Sequence, residues 1–544
     1  MYEQTFQVAE RIAQTLVELG VDQLFGVVGS GNFHLTNHLR DKGVPFVAAR
    51  HEGGAATMAD AYARMSGKLG VVTTHQGCGY TNAVTGIAEA AKSRTPLLVL
   101  TADTPPHDVR SNFRIDQDGL ARSVGAVAER VYSPATAVAD TRRAVRTAVN
   151  DRRTVVLSVP IDVQVAGTAY ASPQPIPPRQ RPRASERHTQ ALAELLRGAR
   201  RPLFIAGRGA REAGPQLRAL GQKSGALLAT SAVAHGLFVG EDHNLGISGG
   251  FSSDFTAATI AEADVVVGWG CALNNWTTRR GTLLNEFARV IQVDLDETAF
   301  EWDHGIVGDC AATAESVLAE LVDHAPDTWR TPDMAAAIAA KSRWKDAETA
   351  DVSTGALIDP RILTRRLNEM LPAERVVSVD SGNFMGYPST YLDVPDENGF
   401  CFTQAFQSIG LGLATAIGAA KAQPGRLPVL GAGDGGFLMG IAELETAVRE
   451  RIPLVAIVYN DSAYGAEVHH FTGAGDYGAV TFPTTDIAAV ARGFGAEGVV
   501  VEKLADLDAV QEWLDGPRTG PLVVDARIAS DGGAWWLAEA FATH

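Results

Sequence analysis

The fold class of this chain is written in Leu427-Pro428-Val429-Leu430-Gly431-Ala432-Gly433-Asp434-Gly435-Gly436. An apolar run of strand length ends there in a carboxylate flanked by glycines. A helical stretch, Ile441-Ala442-Glu443-Leu444-Glu445-Thr446-Ala447-Val448-Arg449, follows it. A second apolar run, Pro453-Leu454-Val455-Ala456-Ile457-Val458-Tyr459, then ends in Asn460-Asp461-Ser462-Ala463-Tyr464-Gly465. Strand, helix, strand is the unit of a parallel sheet, whose ligands bind beyond the carboxyl ends of the strands. Glycines let backbone N–H groups approach an anion, and a helix N-terminus favours phosphate oxygens. Asp434 offers the hard oxygen that magnesium or calcium takes. Asp461 lies 27 residues further on, so adjacent strands bring both carboxylates to one sheet edge. Either Asp alone is an ordinary cap or turn residue. The pair, on this pattern, reads as a metal site that holds a diphosphate.

The same alternation extends outward in both directions. Leu69–Thr74, Pro96–Ala102, Pro202–Gly207, Asp264–Gly270, Arg289–Leu295 and Arg375–Gly382 are short β-branched or apolar runs with helical stretches between them. Two polar stretches break the pattern, Ala166–Arg187 and His324–Asp359. They divide the chain into blocks at residues 1–165, 188–325 and 358–544. The expectation is an α/β protein of three doubly wound parallel-sheet domains.

Composition narrows the function. Of 544 residues 46% are hydrophobic and 20% charged, which suits packed cores rather than disorder. A net charge of -16 disfavours nucleic acid as a partner. The four cysteines are scattered, without metal-ligand spacing, which fits a reducing cytoplasm. The first residues lack a basic region followed by an apolar run, and charges interrupt every apolar stretch. Neither a signal peptide nor a membrane span is expected.

Gly-Asp-Gly, a helix, a strand and then an Asn-Asp pair resemble the thiamine-diphosphate motif of the acetolactate synthase, pyruvate decarboxylase and benzoylformate decarboxylase superfamily. The resemblance implies metal ligation by Asp434, Asp461 and the main-chain carbonyl of Ala463, with Mg2+ as the ion. Asp461 stands where many members have Asn. Arg50-His51-Glu52-Gly53-Gly54-Ala55 resembles the segment whose glutamate bonds the aminopyrimidine ring and activates the cofactor, a role this implies for Glu52. By itself Glu52 reads as a carboxylate at a helix start. Phe25–Asn32 and Gly77–Asn82 are similar to two cofactor loops, with Val28 and Cys78 in place of prolines, and point to Gly29 and Asn82. Val379–Asn383 and Gln407–Gly410 resemble cofactor-lining segments. With the Gly433 and Tyr464 loops they add Asn383, Phe384, Ser408, Ile409, Gly433, Gly435, Gly436 and Tyr464. The apolar residue at Ile409 is implied to wedge the cofactor into its bent shape; otherwise it is core.

The resemblance names the domains as pyrimidine-binding, middle and diphosphate-binding. It implies an active site shared between subunits of a homodimer or homotetramer. The chemistry implied is decarboxylation of a small-molecule 2-keto acid to a cofactor-bound carbanion, which is protonated or added to a carbonyl acceptor. FAD is not expected, because Gly270–Trp276 lacks the arginine-rich segment of the FAD-binding members. For substrate, His75 resembles a catalytic histidine of benzoylformate decarboxylase, and Glu467 an active-site glutamate of pyruvate decarboxylases. Gln117 substitutes for the glutamine of the acetolactate synthase pocket. As ordinary residues, His75 is a bonded loop histidine and Glu467 a solvated helix residue. His34, His469 and His470 are further candidates, and Trp535 and Trp536 are placed over the pocket. An aromatic 2-keto acid decarboxylase, a 2-hydroxyacyl-CoA lyase and a catalytically silent homologue remain alternatives. Glu52, Asp434 and Asp461 together speak against the last.

Overall fold

The computed structural model describes residues 6–533 and 536, apart from 170–171, 298–299, 301, 303, 327, 472 and 474. It contains three six-stranded sheets, each wholly parallel. The first is built from Leu24–Gly26, Phe46–Ala48, Gly70–Thr74, Leu97–Asp103, Val127–Arg130 and Thr154–Pro160. The second runs from Pro202–Ala206 to His304–Val307, and the third from Arg375–Val379 to Leu522–Arg527. Central strands such as Leu97–Asp103 are buried at every residue, which is why they read as continuous apolar runs without alternation.

The first and third sheets share one strand order: second, first, third, fourth, sixth, fifth along the chain. The middle sheet runs third, second, first, fourth, fifth, sixth. In each order the chain reverses direction across the sheet once near the centre, and crevices form at such switch points. In the third sheet the switch lies between Arg375–Val379 and Leu427–Gly433, so Asp380 and Asp434 follow the two strands that frame it. In the first it lies between Leu24–Gly26 and Gly70–Thr74, which lead to Gly29 and His75.

One hydrophobic core spans the first and third domains, joining Ala55, Met58 and Ala59 to Leu413, Ala416 and Ile417. The helix Gly412–Ala422 is apolar on nearly all sides and lies against Glu52–Ser66. Gly418 makes the approach possible, since a Cβ there would collide with the Met58 carbonyl.

The polar stretches are not featureless. Gly167–Thr168 pairs antiparallel with Phe6–Gln7, and Pro332–Lys341 is a helix capped by the Thr331 hydroxyl. All four cysteines are free. Among the described residues no helix is long and apolar enough to cross a membrane.

Candidate active site

Asp434 follows the strand Leu427–Gly433 and opens the helix Asp434–Met439. Asp461 follows the adjacent strand Val455–Asn460, paired in register with Gly433 opposite Tyr459. The two carboxyls therefore meet at one edge of the sheet. Burial raises both above the ordinary carboxylate range, and the neighbouring Asp434 charge raises Asp461 further. Asp434 Oδ1 is buried without a hydrogen-bond partner. An orphaned carboxylate oxygen beside a second carboxylate is a donor set suited to a hard divalent cation. Asn460 plays a structural part: its amide donates to Asp525 at 2.8 Å, and it accepts the Ser462 N–H at 3.2 Å. The chain then turns through Ser462 in the left-handed region, φ 58°, and the Ala463 N–H donates to Asp461 Oδ1 at 3.2 Å.

Around this pair lies a cleft of about 1570 Å³ lined by Asn383, Ile409, Gly435, Tyr464 and Glu467, among others. Gly435 sits against Tyr464 and Gly436 against Asp380, and a Cβ at either would crowd these side chains. Asn383 Oδ1 and both amide atoms of Gln404 are buried without partners on the same cleft. Phe384 stacks on Tyr459 with ring centres 5.7 Å apart. Ile409 is 37% exposed, so it is not core. Its turn is fixed by Asp380, whose two carboxyl oxygens each accept the Gly410 N–H at 3.1 Å. Burial pushes Asp380 up to about 6, against the pull of backbone N–H groups from Ser381 and Gly410. Ser408 is half-buried in this turn, and Glu467 is exposed in the helix Gly465–His470.

The second constellation lies on the first domain. Glu52 is the first residue of the helix Glu52–Ser66, with the His51 ring capping the Gly53 N–H at 3.0 Å. Asn82 Nδ2 donates to Glu52 Oε2 at 3.0 Å. Gly79 lies between Glu52 and His75; a Cβ there would stand 3.0 Å from Glu52 Oε1 and from His75 Cβ. His75 Nδ1 is 2.7 Å from the Gln76 carbonyl, which can only accept, so Nδ1 carries the hydrogen. In the neutral ring Nε2 then faces Ser30 Oγ at 3.3 Å as an acceptor. Gly29 presses on the His75 ring, and its N–H donates to Asn32 Oδ1 at 2.8 Å.

Some sequence expectations land elsewhere. Gln117 is 2% exposed. Its Oε1 accepts the Gly77 N–H at 2.9 Å, and its Nε2 donates to the Ala102 carbonyl at 3.0 Å. It braces the turn behind His75. Trp536 does not cover the cleft; it packs on Gly386 and Tyr387 and donates to the Asn383 carbonyl at 2.9 Å. Trp535 lies outside the described residues. His34 is exposed, and the His469 ring lies near Gly533. Asp380 directly follows the strand Arg375–Val379 as Asp434 follows Leu427–Gly433, a placement the sequence pattern already carries.

Glu52, Asn82 and His75 do not line the cleft that holds Asp434 and Asp461. One chain thus carries two separate half-constellations.

Both halves lie within stretches that match known protein families. Residues 6–123 match the thiamine pyrophosphate enzyme N-terminal TPP binding domain, 189–317 the central domain and 380–526 the C-terminal TPP binding domain. The chain belongs to the thiamine pyrophosphate enzyme family, and it is a thiamine-diphosphate-dependent enzyme of carbon–carbon bond cleavage or transfer. Among its relatives is a sulfoacetaldehyde acetyltransferase of Alcaligenes xylosoxydans xylosoxydans, 28% identical over 93% of this chain and 90% of the relative. A protein named "Probable 2-ketoarginine decarboxylase" from Pseudomonas aeruginosa is 30% identical over 97% and 95%. An acetolactate synthase of Bacillus subtilis is 28% identical over 96% and 93%.

Proposed function

We propose that this enzyme is a magnesium-dependent 2-keto acid decarboxylase or carboligase of the acetolactate synthase-like kind. Asp434, Asp461 and the Ala463 carbonyl would hold Mg2+ and, through it, the diphosphate. The observation that carries the reading is the buried, unpartnered Asp434 Oδ1 beside Asp461. Gly433, Gly435 and Gly436 let the backbone at the start of the Asp434–Met439 helix lie close against Phe384, Tyr464 and Asp380, on the cleft where the diphosphate would sit. When bound, thiamine diphosphate supplies a nucleophilic carbon and a sink for the electron pair left when carbon dioxide departs.

This chain's residues do the rest. Glu52 would hold the aminopyrimidine ring and be the group that exchanges a proton with it, while Asn82 holds Glu52 Oε2. Ile409, whose turn is pinned through Asp380, would be an apolar support beneath the cofactor. His75, beside the Ser30 hydroxyl, and Glu467 from the other half would be the groups that move protons on the substrate.

The half-constellations complete each other only across two subunits, so the active enzyme is a homodimer or a pair of dimers. Exposed apolar side chains on both halves support this: Val28, Phe33, Phe113 and Ile115 on one, Phe406, Ile409 and Met439 on the other.

The test is product analysis with pyruvate and with benzoylformate, each with and without an aldehyde acceptor. Carbon dioxide with acetolactate or acetoin marks a carboligase; carbon dioxide with free aldehyde marks a decarboxylase. No carbon dioxide from any 2-keto acid sinks the proposal.

A further inference from the structure

The helix Ala442–Arg449 belongs to the diphosphate-binding domain, yet it grips the segment that delivers Glu52. Glu443 is 3% exposed. Its Oε1 accepts the N–H groups of Arg50 and His51 at 3.1 and 3.0 Å. Thr446 Oγ1 donates to its other oxygen at 2.7 Å. Flanking contacts repeat the grip: Glu445 pairs with the Arg50 guanidinium at 2.5 Å, and Arg449 donates to the Ala48 carbonyl. Gly54, in the first turn after Glu52, lies so close to Glu443 that a Cβ would collide with the carboxylate.

A carboxylate is costly to bury unless charge-assisted hydrogen bonds answer it. Here burial raises the Glu443 carboxyl, and Thr446, the Arg50 N–H and the His51 N–H lower it. Mere packing would be better served by an apolar side chain. What the carboxylate adds is direction. Two successive peptide N–H groups aimed at one oxygen fix both peptide planes ahead of Glu52. They hold His51 extended, at φ -142° and ψ 141°, and so set where the helix begins.

We propose that Glu443 is a positioning residue for Glu52: by clamping the Arg50 and His51 peptides it sets the reach of the Glu52 carboxylate toward the pyrimidine ring. This rests on the role of Glu52 proposed above.

Three variants test it: Glu443→Leu removes the acceptor, Glu443→Gln keeps the Oε1 contacts, and Gly54→Ala displaces the carboxylate without removing it. The first readout needs no cofactor: backbone amide hydrogen exchange across residues 48–54. The second is hydrogen–deuterium exchange at the reactive thiazolium carbon of bound thiamine diphosphate. The third is cofactor binding by calorimetry. For Glu443→Leu and Gly54→Ala, amide exchange at Arg50 and His51 accelerates at least ~10-fold. Thiazolium exchange slows roughly 10- to 100-fold, as a displacement of about 1 Å at a reacting group does. Cofactor affinity changes less than about 5-fold, because the diphosphate anchor is untouched. Glu443→Gln restores both exchange rates to near wild type. If Glu443→Leu does not fold, Gly54→Ala carries the test alone. Fast amide exchange with wild-type thiazolium exchange overturns the proposal. So does equal damage in the Gln and Leu variants, which marks a merely structural carboxylate. The underlying role of Glu52 fails separately: Glu52→Gln would then show wild-type thiazolium exchange.

Discussion

The Asn82 side chain donates to Glu52 Oε2 at 3.0 Å, joining the turn after one strand to the helix after another. The other oxygen, Oε1, lies on the Gly79 side. Glu52→Gln is expected to lower kcat by at least ~10²-fold, the usual worth of a positioned proton-transfer group. Magnesium-dependent cofactor binding should persist. Steady-state kinetics with calorimetry checks both, and an unimpaired kcat removes Glu52 from the mechanism.

Asp434 and Asp461 press two buried carboxyls together, which costs stability in the protein without metal. Asp434→Asn or Asp461→Asn should raise the stability of that form by about 1 kcal/mol, since one unit of pKa displacement is worth ~1.4 kcal/mol. The same variants should lose the rise in Tm that wild type shows with magnesium and thiamine diphosphate. Differential scanning calorimetry with and without both additives decides; a retained rise would place the anchor elsewhere.

Subunit sharing predicts complementation. Glu52→Gln and Asp434→Asn homo-oligomers are each expected to be inactive. Unfolding and refolding them together forms mixed dimers in which one site has both wild-type residues. Random pairing then restores roughly a quarter of wild-type activity. No recovery, with mixed dimers shown by mass spectrometry, would mean that both residues act within one chain.

Gln117 should matter through the Gly77 turn. Removing it strands the Gly77 N–H in a buried setting, so Gln117→Ala is expected to cost about 1–3 kcal/mol in chemical denaturation. Loss of kcat should accompany this, through movement of the turn carrying His75, with KM little changed. A selective rise in KM at full stability would instead put Gln117 against substrate.

His235 packs edge-on against Phe400, with ring centres 5.2 Å apart, and burial lowers its pKa from 6.5 to about 4. Between these values the unfolded chain binds a proton that the folded chain refuses. Stability attributable to this site is therefore complete above pH 6.5 and declines as pH falls toward 4. His235→Gln should flatten that acid limb in urea titrations run across the range. An unchanged slope would show that His235 is charged in the fold.

How much was legible follows from the physics of each residue. Asp434 and Asp461 could be read because a parallel sheet sends both strand ends to one edge, and their spacing fits one helix and one strand. Ile409 carried two meanings in sequence, core or support, and its exposure on the cleft excludes the first. The bonds of Gln117 to Gly77 and Ala102 were not legible, because its surroundings, not its type, direct the amide. Glu443 gave no signal at all, since it meets His51 across 392 residues.

Local pattern alone therefore determined that this chain folds as three parallel-sheet α/β domains and brings Asp434 and Asp461 to one sheet edge, because strand and helix periods are short-range properties. Which side chains hold the machinery in place, and the separation of Glu52 from Asp434 into two half-sites, were decided by tertiary packing. Those relationships come from domains closing on one another, and a contact between residues hundreds of positions apart leaves no trace in the order of the chain.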